Sequence, residues 1–184
     1  MRLFAAVLPP PAAVDELARA VARLRALPGA EALRWTAREG WHLTLAFYGE
    51  TAEEELPALS AGLALAAAGE ADFPLALRGG GRFGSRALWA GVAGDLTALG
   101  RLAERSREAG PADADRTYRP HLTLARGRGS ADLAPYVSVL DAFDGTAWRA
   151  GELALVRSTL RGGPDGAGPP RYEKVAGWPL RGAG

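Results

Sequence analysis

The pentapeptide His-Leu-Thr-Leu-Ala occurs twice in this 184-residue chain, at 42–46 and again at 121–125. The chain contains two histidines, His42 and His121, and each is the first residue of one copy. The two copies begin 79 positions apart, within the longer phrases WHLTLAFYG and PHLTLARGR. Two copies indicate internal pseudo-symmetry, whereas a solenoid would need three or more.

Hydrophobic periodicity around the two phrases predicts the same order of elements twice: strand, helix, histidine strand, helix. Helices are predicted at Pro11–Ala26, Glu53–Ala68, Asp95–Ala109 and Asp132–Leu140. We therefore predict an α+β fold of two pseudo-symmetric lobes, with mostly antiparallel β-sheets lining a central groove and helices packed outside. Because no linker separates the halves, residues 1–184 are expected to form one bilobal domain.

Two glycine-rich segments lie between the predicted helices and strands. The phrase GGGRFG at 79–84 matches the spacing of a dinucleotide-binding fingerprint, but the segment that follows it reads as a strand and not as a helix. A hairpin turn is therefore predicted there. The composition of residues 161–171 predicts a mobile loop.

Composition restricts the classes of function. Lysine plus arginine number 22 against 21 acidic residues, so the net charge of +1 gives no global attraction for nucleic acid. Cysteine is absent, which excludes disulfides and thiolate metal sites. The apolar run at the amino terminus is too short for a signal peptide, and no later run is long enough to span a membrane. We expect a soluble cytoplasmic monomer that does not associate with membranes.

Strand alternation determines which side chains of the repeated phrase share a face. His42 and Thr44 point to one side of the strand while the leucines between them point to the other, and His121 and Thr123 repeat the arrangement. If the leucines are buried against helices, each lobe presents an imidazole and a hydroxyl on its open face. Two lobes related by a pseudo-two-fold axis would then place both pairs around one groove.

Two imidazoles and two hydroxyls suit a reaction at phosphorus. In-line displacement needs a base on the attacking oxygen and an acid on the leaving oxygen, and histidine titrates near neutrality. A single histidine in a strand is more often a surface or core residue, and the duplication is what favours chemistry. A zinc site is the other chemical interpretation, but the chain offers neither a third histidine nor cysteine. We therefore expect neither a metal nor a cofactor.

At this point the sequence resembles the two-histidine (2H) phosphoesterase superfamily, and within it the RNA 2′,3′-cyclic phosphodiesterase branch, also named 2′-5′ RNA ligase-like. The family signature is H-x-T-[LIV] twice, about eighty residues apart, and this chain carries HLTL at 42–45 and at 121–124. Flanking phrases extend the resemblance along the whole chain. They are LRWTAREGWHLTLAFYGE, GRFGSRALWAGV, YRPHLTLAR and the closing LALVRSTL with RYEKVAGWPL.

The resemblance implies roles for the matching residues. The first-motif histidine of the family is the proton donor, which falls on His42, and the second is the proton acceptor, which falls on His121. Thr44 and Thr123 would bind phosphate, and the arginine that follows the second motif falls on Arg126.

Arg126 raises a question of geometry, because it stands five residues after the histidine and a regular strand would turn it to the opposite face. It can serve only if the strand ends or bulges near Ala125. Arg119 has the correct parity and is the alternative phosphate ligand. Phe47 matches Arg126 in the repeat and could stack on a base or pack in the core.

Trp35 and Tyr48 are weaker candidates for base stacking, because packing in the core explains both residues more readily.

The resemblance implies an enzyme whose partner is RNA or a nucleotide with a 2′,3′-cyclic phosphate end, hydrolysed to the 2′-phosphate, with possible 2′-5′ ligation in reverse. Two alternatives stay open: cleavage of 2′-5′ oligonucleotides, and a non-catalytic module that binds RNA or nucleotides. An intact acid and base argue against the binding module, since binding alone needs only cations and hydroxyls.

Overall fold

A computed structural model describes residues 1–112, 117–160 and 169–184, and within these ranges the chain forms four α-helices and nine β-strands. In chain order they are β1 (Arg2–Val7), α1 (Pro11–Arg25), β2 (Arg34–Trp35), β3 (Leu43–Glu50), α2 (Leu56–Ala68), β4 (Phe73–Phe83), β5 (Ala87–Gly94), α3 (Leu96–Glu108), β6 (Leu122–Arg126), α4 (Ala134–Leu140), β7 (Trp148–Ala150), β8 (Glu152–Thr159) and β9 (Arg171–Pro179). Most of the loop predicted at 161–171 falls outside the described ranges.

Two antiparallel sheets organise the fold. The first sheet has the order β3-β1-β8-β9, and the second has the order β2-β6-β5-β4-β7. The two histidine phrases lie on β3 and β6, each hydrogen-bonded to the strand that opens its own repeat, β1 or β5. The four strands of the first sheet thus correspond in order to β6-β5-β4-β7, and β2 is an additional edge strand. The predicted α+β class with antiparallel sheets and two related halves is confirmed.

The helices form the outer layers and cross between the halves. Helix α3 packs on β3 and on α2, and this pair covers the first sheet. Helix α1 packs on β4 of the second sheet and on α4, which also covers that sheet. Each helix that follows the first strand of one repeat therefore covers the sheet of the other repeat. The prediction of one domain over residues 1–184 stays a prediction.

The leucines of the repeated phrase are buried as alternation predicts. Leu43, Leu122 and Leu124 have no exposed surface, and Leu45 is almost as inaccessible. They belong to the main hydrophobic core, which runs continuously beneath both sheets. Burying a leucine side chain contributes about 1.5–3 kcal/mol, so these four positions fix which face of each strand is turned away from the core.

The helix ends follow the sequence closely. Pro11 opens α1, where its missing N–H costs nothing, and the Asp95 side chain accepts a hydrogen bond of 2.9 Å from the backbone N–H of Ala98 to cap α3. Across the described ranges, no helix has the length and apolar character required to cross a bilayer.

The glycine-rich segment differs in part from its prediction. A β4–β5 hairpin is present, but β4 continues through the glycines to Phe83 and the turn begins only afterwards. A Cβ on Gly81 would lie 2.4 Å from the Trp89 ring, and one on Gly80 would lie 2.5 Å from the Leu140 side chain. These glycines belong to a strand because large neighbouring side chains occupy the space above them.

Candidate active site

The two histidines occupy equivalent positions immediately before β3 and β6. His42 Nδ1 lies 2.7 Å from the carbonyl oxygen of Gly40, and His121 Nδ1 lies 2.7 Å from the carbonyl oxygen of Arg119. A carbonyl oxygen can only accept, so Nδ1 donates the proton in both cases. The backbone two residues earlier therefore fixes the tautomer of each ring and leaves Nε2 as the nitrogen for chemistry.

Two aromatic rings flank each imidazole. The His42 ring lies 4.6 Å from the Phe4 ring and 5.1 Å from the Tyr172 ring, measured between centroids. His121 has Phe83 at 4.9 Å and Trp89 at 6.1 Å, also between centroids. These contacts restrict the rotation of both imidazoles.

Sequence reasoning did not identify these four aromatic residues. They come from β1 and β9 in one half and from β4 and β5 in the other. Their proximity to the histidines depends on strand pairing, which no local pattern specifies.

The environment of His42 disfavours its charged form. Desolvation lowers the pKa of His42, the Gly40 carbonyl opposes that change, and the positive charge of His121 lowers the pKa further. The last contribution requires the two imidazoles to lie within electrostatic reach of each other. The two imidazoles thus lie close enough to influence each other's charge, as expected if the two histidine strands face one groove.

Thr44 and Thr123 follow the histidines on the same faces and are half-buried. Thr44 stands opposite Ala6 of β1, and Thr123 stands opposite Trp89 of β5. Within the described residues neither threonine hydroxyl has a hydrogen-bond partner from the protein. Both hydroxyls can therefore donate to a ligand in the groove.

A β-bulge in β6 decides where Arg126 points. Thr123 pairs with Trp89 and Arg126 pairs with Ala87, so one extra residue of β6 lies between these two pairs. Ala87 and Trp89 are two residues apart on β5 and share a face, so Arg126 and Thr123 share that face as well. The bulge that Arg126 required is present, and it places this arginine on the groove side.

The charge of Arg126 acts across the groove. Burial raises the pKa of Tyr172, and the positive charges of Arg126 and Arg2 oppose that rise. Tyr172 belongs to β9 of the first sheet, whereas Arg126 belongs to β6 of the second. The charge of Arg126 is therefore within electrostatic reach of Tyr172, which flanks His42.

Phe47 occupies the matching position in the first half. Thr44 pairs with Ala6 and Phe47 pairs with Phe4, so β3 carries a bulge like that of β6 and Phe47 returns to the groove face. Its side chain is 39% exposed, and the guanidinium carbon of Arg2 lies 5.3 Å from the ring centroid. The exposure favours contact with a ligand over packing in the core.

Two weaker candidates lie outside the groove. Tyr48 is buried and its hydroxyl donates a hydrogen bond of 2.5 Å to the carbonyl of Ser106. The Trp35 indole N–H donates to the carbonyl of Ala30 at 2.8 Å. Both side chains pack against the core and support the fold.

Arg119 is exposed, and its backbone carbonyl is the group that orients His121. Because Arg126 lies on the groove side, it is a better candidate for the phosphate ligand than Arg119.

In the three described ranges, no three His, Cys, Asp or Glu side chains cluster in a way that could hold a metal ion.

Comparisons with known proteins agree with this architecture. The family model of the 2′-5′ RNA ligase superfamily matches residues 10–162. A Thermus thermophilus protein named RNA 2′,3′-cyclic phosphodiesterase is 36% identical over 197 aligned positions, covering 99% of this chain and 91% of that protein. A Geobacillus stearothermophilus protein of the same name is 33% identical over 158 positions. The alignment covers 81% of this chain and 48% of that protein, so this chain spans about half the length of that relative.

Solved structures show the same fold. The crystal structure of a Thermus thermophilus protein superposes with a TM-score of 0.75 at 32% identity, covering 100% of both chains. The crystal structure of E. coli LigT complexed with phosphate gives a TM-score of 0.75 at 27% identity, covering 97% of this chain and 96% of that one.

Proposed function

The chain belongs to the 2′-5′ RNA ligase superfamily, and from that premise we propose that it is an enzyme that hydrolyses RNA 2′,3′-cyclic phosphate ends to 2′-phosphates. Two relatives that carry the name RNA 2′,3′-cyclic phosphodiesterase, at 33% and 36% identity, support this activity. The observation that carries the proposal is the pair of imidazoles at equivalent positions, each with Nδ1 held by a backbone carbonyl 2.7 Å away.

Hydrolysis divides the two proton transfers between the two histidines. His121 Nε2 takes a proton from water, the water oxygen bonds to phosphorus, and the bond from phosphorus to the 3′ oxygen breaks. His42 gives its Nε2 proton to that departing oxygen. The product is a 2′-phosphate with a free 3′ hydroxyl, and proton exchange with solvent restores both histidines. Anionic phosphate in the groove favours protonated His42, which offsets the desolvation that lowers its pKa in the free enzyme.

The remaining groove residues bind the substrate. The hydroxyls of Thr44 and Thr123 donate hydrogen bonds to the non-bridging oxygens of the phosphate, and Arg126 supplies a positive charge beside them. Phe47 offers an exposed ring on which a nucleobase can stack. With these groups in place the reaction requires no metal ion.

The same residues can catalyse ring opening by a different nucleophile. If a 5′ hydroxyl of a second RNA takes the place of water, attack at phosphorus with loss of the 3′ oxygen forms a 2′-5′ linkage. We propose this ligation as a secondary activity, in keeping with the name of the superfamily. We further propose that the protein acts as a monomer in the cytoplasm, and size-exclusion chromatography with light scattering tests the first part.

Phosphorus NMR of a reaction in EDTA tests the proposal. The protein is incubated with a nucleoside 2′,3′-cyclic phosphate, and we expect the cyclic resonance to be replaced by that of the 2′-phosphate alone. A 3′-phosphate product would refute the assignment of the leaving oxygen. Loss of activity in EDTA that a divalent ion restores would contradict the metal-free mechanism.

The alternatives give different results in the same assay. Binding of the cyclic nucleotide without turnover, measured by fluorescence titration, would favour a non-catalytic module. Faster cleavage of a 2′-5′-linked dinucleotide than of the cyclic phosphate would favour the oligonucleotide phosphodiesterase.

A further inference from the structure

Strand β2 places a second arginine beside Arg126. Arg34 is the direct cross-strand partner of Arg126, and Trp35 is the partner of Ala125. Cross-strand partners point to the same face of a sheet, so Arg34 lies on the groove side with Arg126. Trp35 points to the core, where its indole is held by the Ala30 carbonyl, and this anchors the alternation of β2.

The backbone of β2 is fixed against β6 beyond this pair. The Thr36 N–H donates to the Leu124 carbonyl at 2.8 Å, so the strand register continues past Trp35. Strands in a sheet lie about 4.8 Å apart, and the two arginines therefore begin from neighbouring backbone positions.

The two guanidinium groups form no ion pair within the part of the chain that the structure describes. Arg34 and Arg126 are both exposed, and among the described residues no carboxylate forms an ion pair with either. Other arginines of the chain do have such partners, for example Arg149 with Asp72 at 2.9 Å. Like charges directly opposite each other on a sheet are unfavourable, so an anion bound between or beside the two arginines would reduce their mutual repulsion.

The order of side chains along the groove indicates which anion this is. Thr123 and Arg126 lie on one face of β6, and Arg34 lies one strand further from the centre of the second sheet. A mononucleotide 2′,3′-cyclic phosphate has a single phosphate, which the proposed site between the threonines uses. The next negative charge of an RNA end is the phosphodiester on the 5′ side of the terminal nucleoside, and arginine is well suited to bind it.

We propose that Arg34 binds this phosphodiester and that the enzyme therefore prefers RNA ends over mononucleotides. The inference rests on the proposed function, since it assigns a position to the chain that carries the cyclic phosphate. Arg34 is a residue of substrate specificity, and the chemistry at the cyclic phosphate does not require it.

Two substrates and two variants test this proposal. The value of kcat/KM is measured for a nucleoside 2′,3′-cyclic phosphate and for a trinucleotide that ends in the same cyclic phosphate. In Arg34→Gln we expect about a ten-fold loss with the trinucleotide and no change with the mononucleotide. The slope of log(kcat/KM) against log[salt] for the trinucleotide should become shallower by about 0.7, because one phosphate contact is lost.

Arg19→Gln is the matched control, because Arg19 is an exposed arginine of α1 on the outer layer of the fold. It removes the same charge and should leave both substrates unchanged. The proposal would be overturned if Arg34→Gln lost kcat/KM equally with both substrates or lost none with either. It would also be overturned if Arg19→Gln lost as much kcat/KM with the trinucleotide as Arg34→Gln does. If the wild-type protein hydrolyses neither substrate, the proposed function fails, whereas hydrolysis of both with an unaffected Arg34→Gln variant refutes only the role of Arg34.

Discussion

Removing each histidine, and then both, tests whether the two imidazoles act as one unit. In His42→Ala and His121→Ala we expect kcat/KM on a cyclic nucleotide to fall by about 10²–10⁴-fold, the usual contribution of one positioned acid or base. At 1.36 kcal/mol per factor of ten, each loss corresponds to about 2.7–5.4 kcal/mol of transition-state stabilisation.

The double variant distinguishes a joint mechanism from two independent contributions. Independent contributions would multiply to a loss of about 10⁴–10⁸-fold. One displacement that needs both proton transfers loses most of its rate when either is missing, so we expect the double variant to be little worse than the poorer single variant.

Stability should change far less than activity. Both imidazoles are half-buried and neither belongs to the hydrophobic core, so the free energy of unfolding should fall by only about 1 kcal/mol. His42→Asn and His121→Asn serve as controls, because the asparagine amide can still donate to the carbonyl that Nδ1 contacts but offers nothing in the position of Nε2.

The assay is steady-state hydrolysis of the cyclic nucleotide, with a thermal melt of every variant. Alanine and asparagine variants should lose similar amounts of activity, while the asparagine variants keep the wild-type Tm more closely. A single variant with near-wild-type kcat/KM, or a double variant whose loss equals the product of the single losses, would show that the reasoning about the two imidazoles is wrong.

Three further predictions concern the groove and its supports. Arg126→Gln should lower kcat/KM on the mononucleotide by about 10²-fold with an unchanged Tm, since the proposed donor to the phosphate is lost. Gly81→Ala should reduce the free energy of unfolding by about 1–3 kcal/mol in a denaturant titration, because the new Cβ would lie 2.4 Å from the Trp89 ring. Gly100→Ala is the control and should cause no such loss, because a Cβ there would meet no packed neighbour within 4 Å. Folding lowers the pKa of His42 from 6.5, so just below that pH the unfolded chain binds more protons than the folded protein. The free energy of unfolding should therefore fall as the pH drops below 6.5. The fall should be less steep in His42→Gln.

Much of this fold follows from local patterns that a sequence displays directly. The alternation within the repeated phrase predicts which side chains are buried, and the leucines after His42 and His121 are indeed inaccessible. Helix boundaries follow equally local signals, such as Pro11 at the start of α1 and Asp95 before α3.

Features that depend on strand pairing could not be predicted in this way. The side on which Arg126 lies is set by an extra residue in β6 relative to β5, and neither strand alone reveals that mismatch. Tyr172 flanks His42 because β9 joins the first sheet, although the two residues are far apart in the sequence. The glycines near Gly81 indicate a turn by composition, and only the ring of Trp89 explains why they lie in a strand.

The two halves of the groove must differ in structure, because one histidine has to act as an acid and the other as a base. The two halves give each imidazole the same backbone hydrogen bond, at the same distance of 2.7 Å. They differ at the first groove-side position after the bulge, which is Phe47 in one half and Arg126 in the other.

A cyclic nucleotide is asymmetric in a corresponding way, with a planar base on one side of the phosphate and open solvent or further RNA on the other. We expect Phe47 to orient the base and Arg126 to hold the phosphate, so that the substrate enters in one direction and each histidine meets a different oxygen. Phe47→Arg tests this directly: it should weaken binding of the base and allow a reversed pose, which reduces kcat more than it raises KM, and a variant with unchanged kcat would contradict the role assigned to this asymmetry.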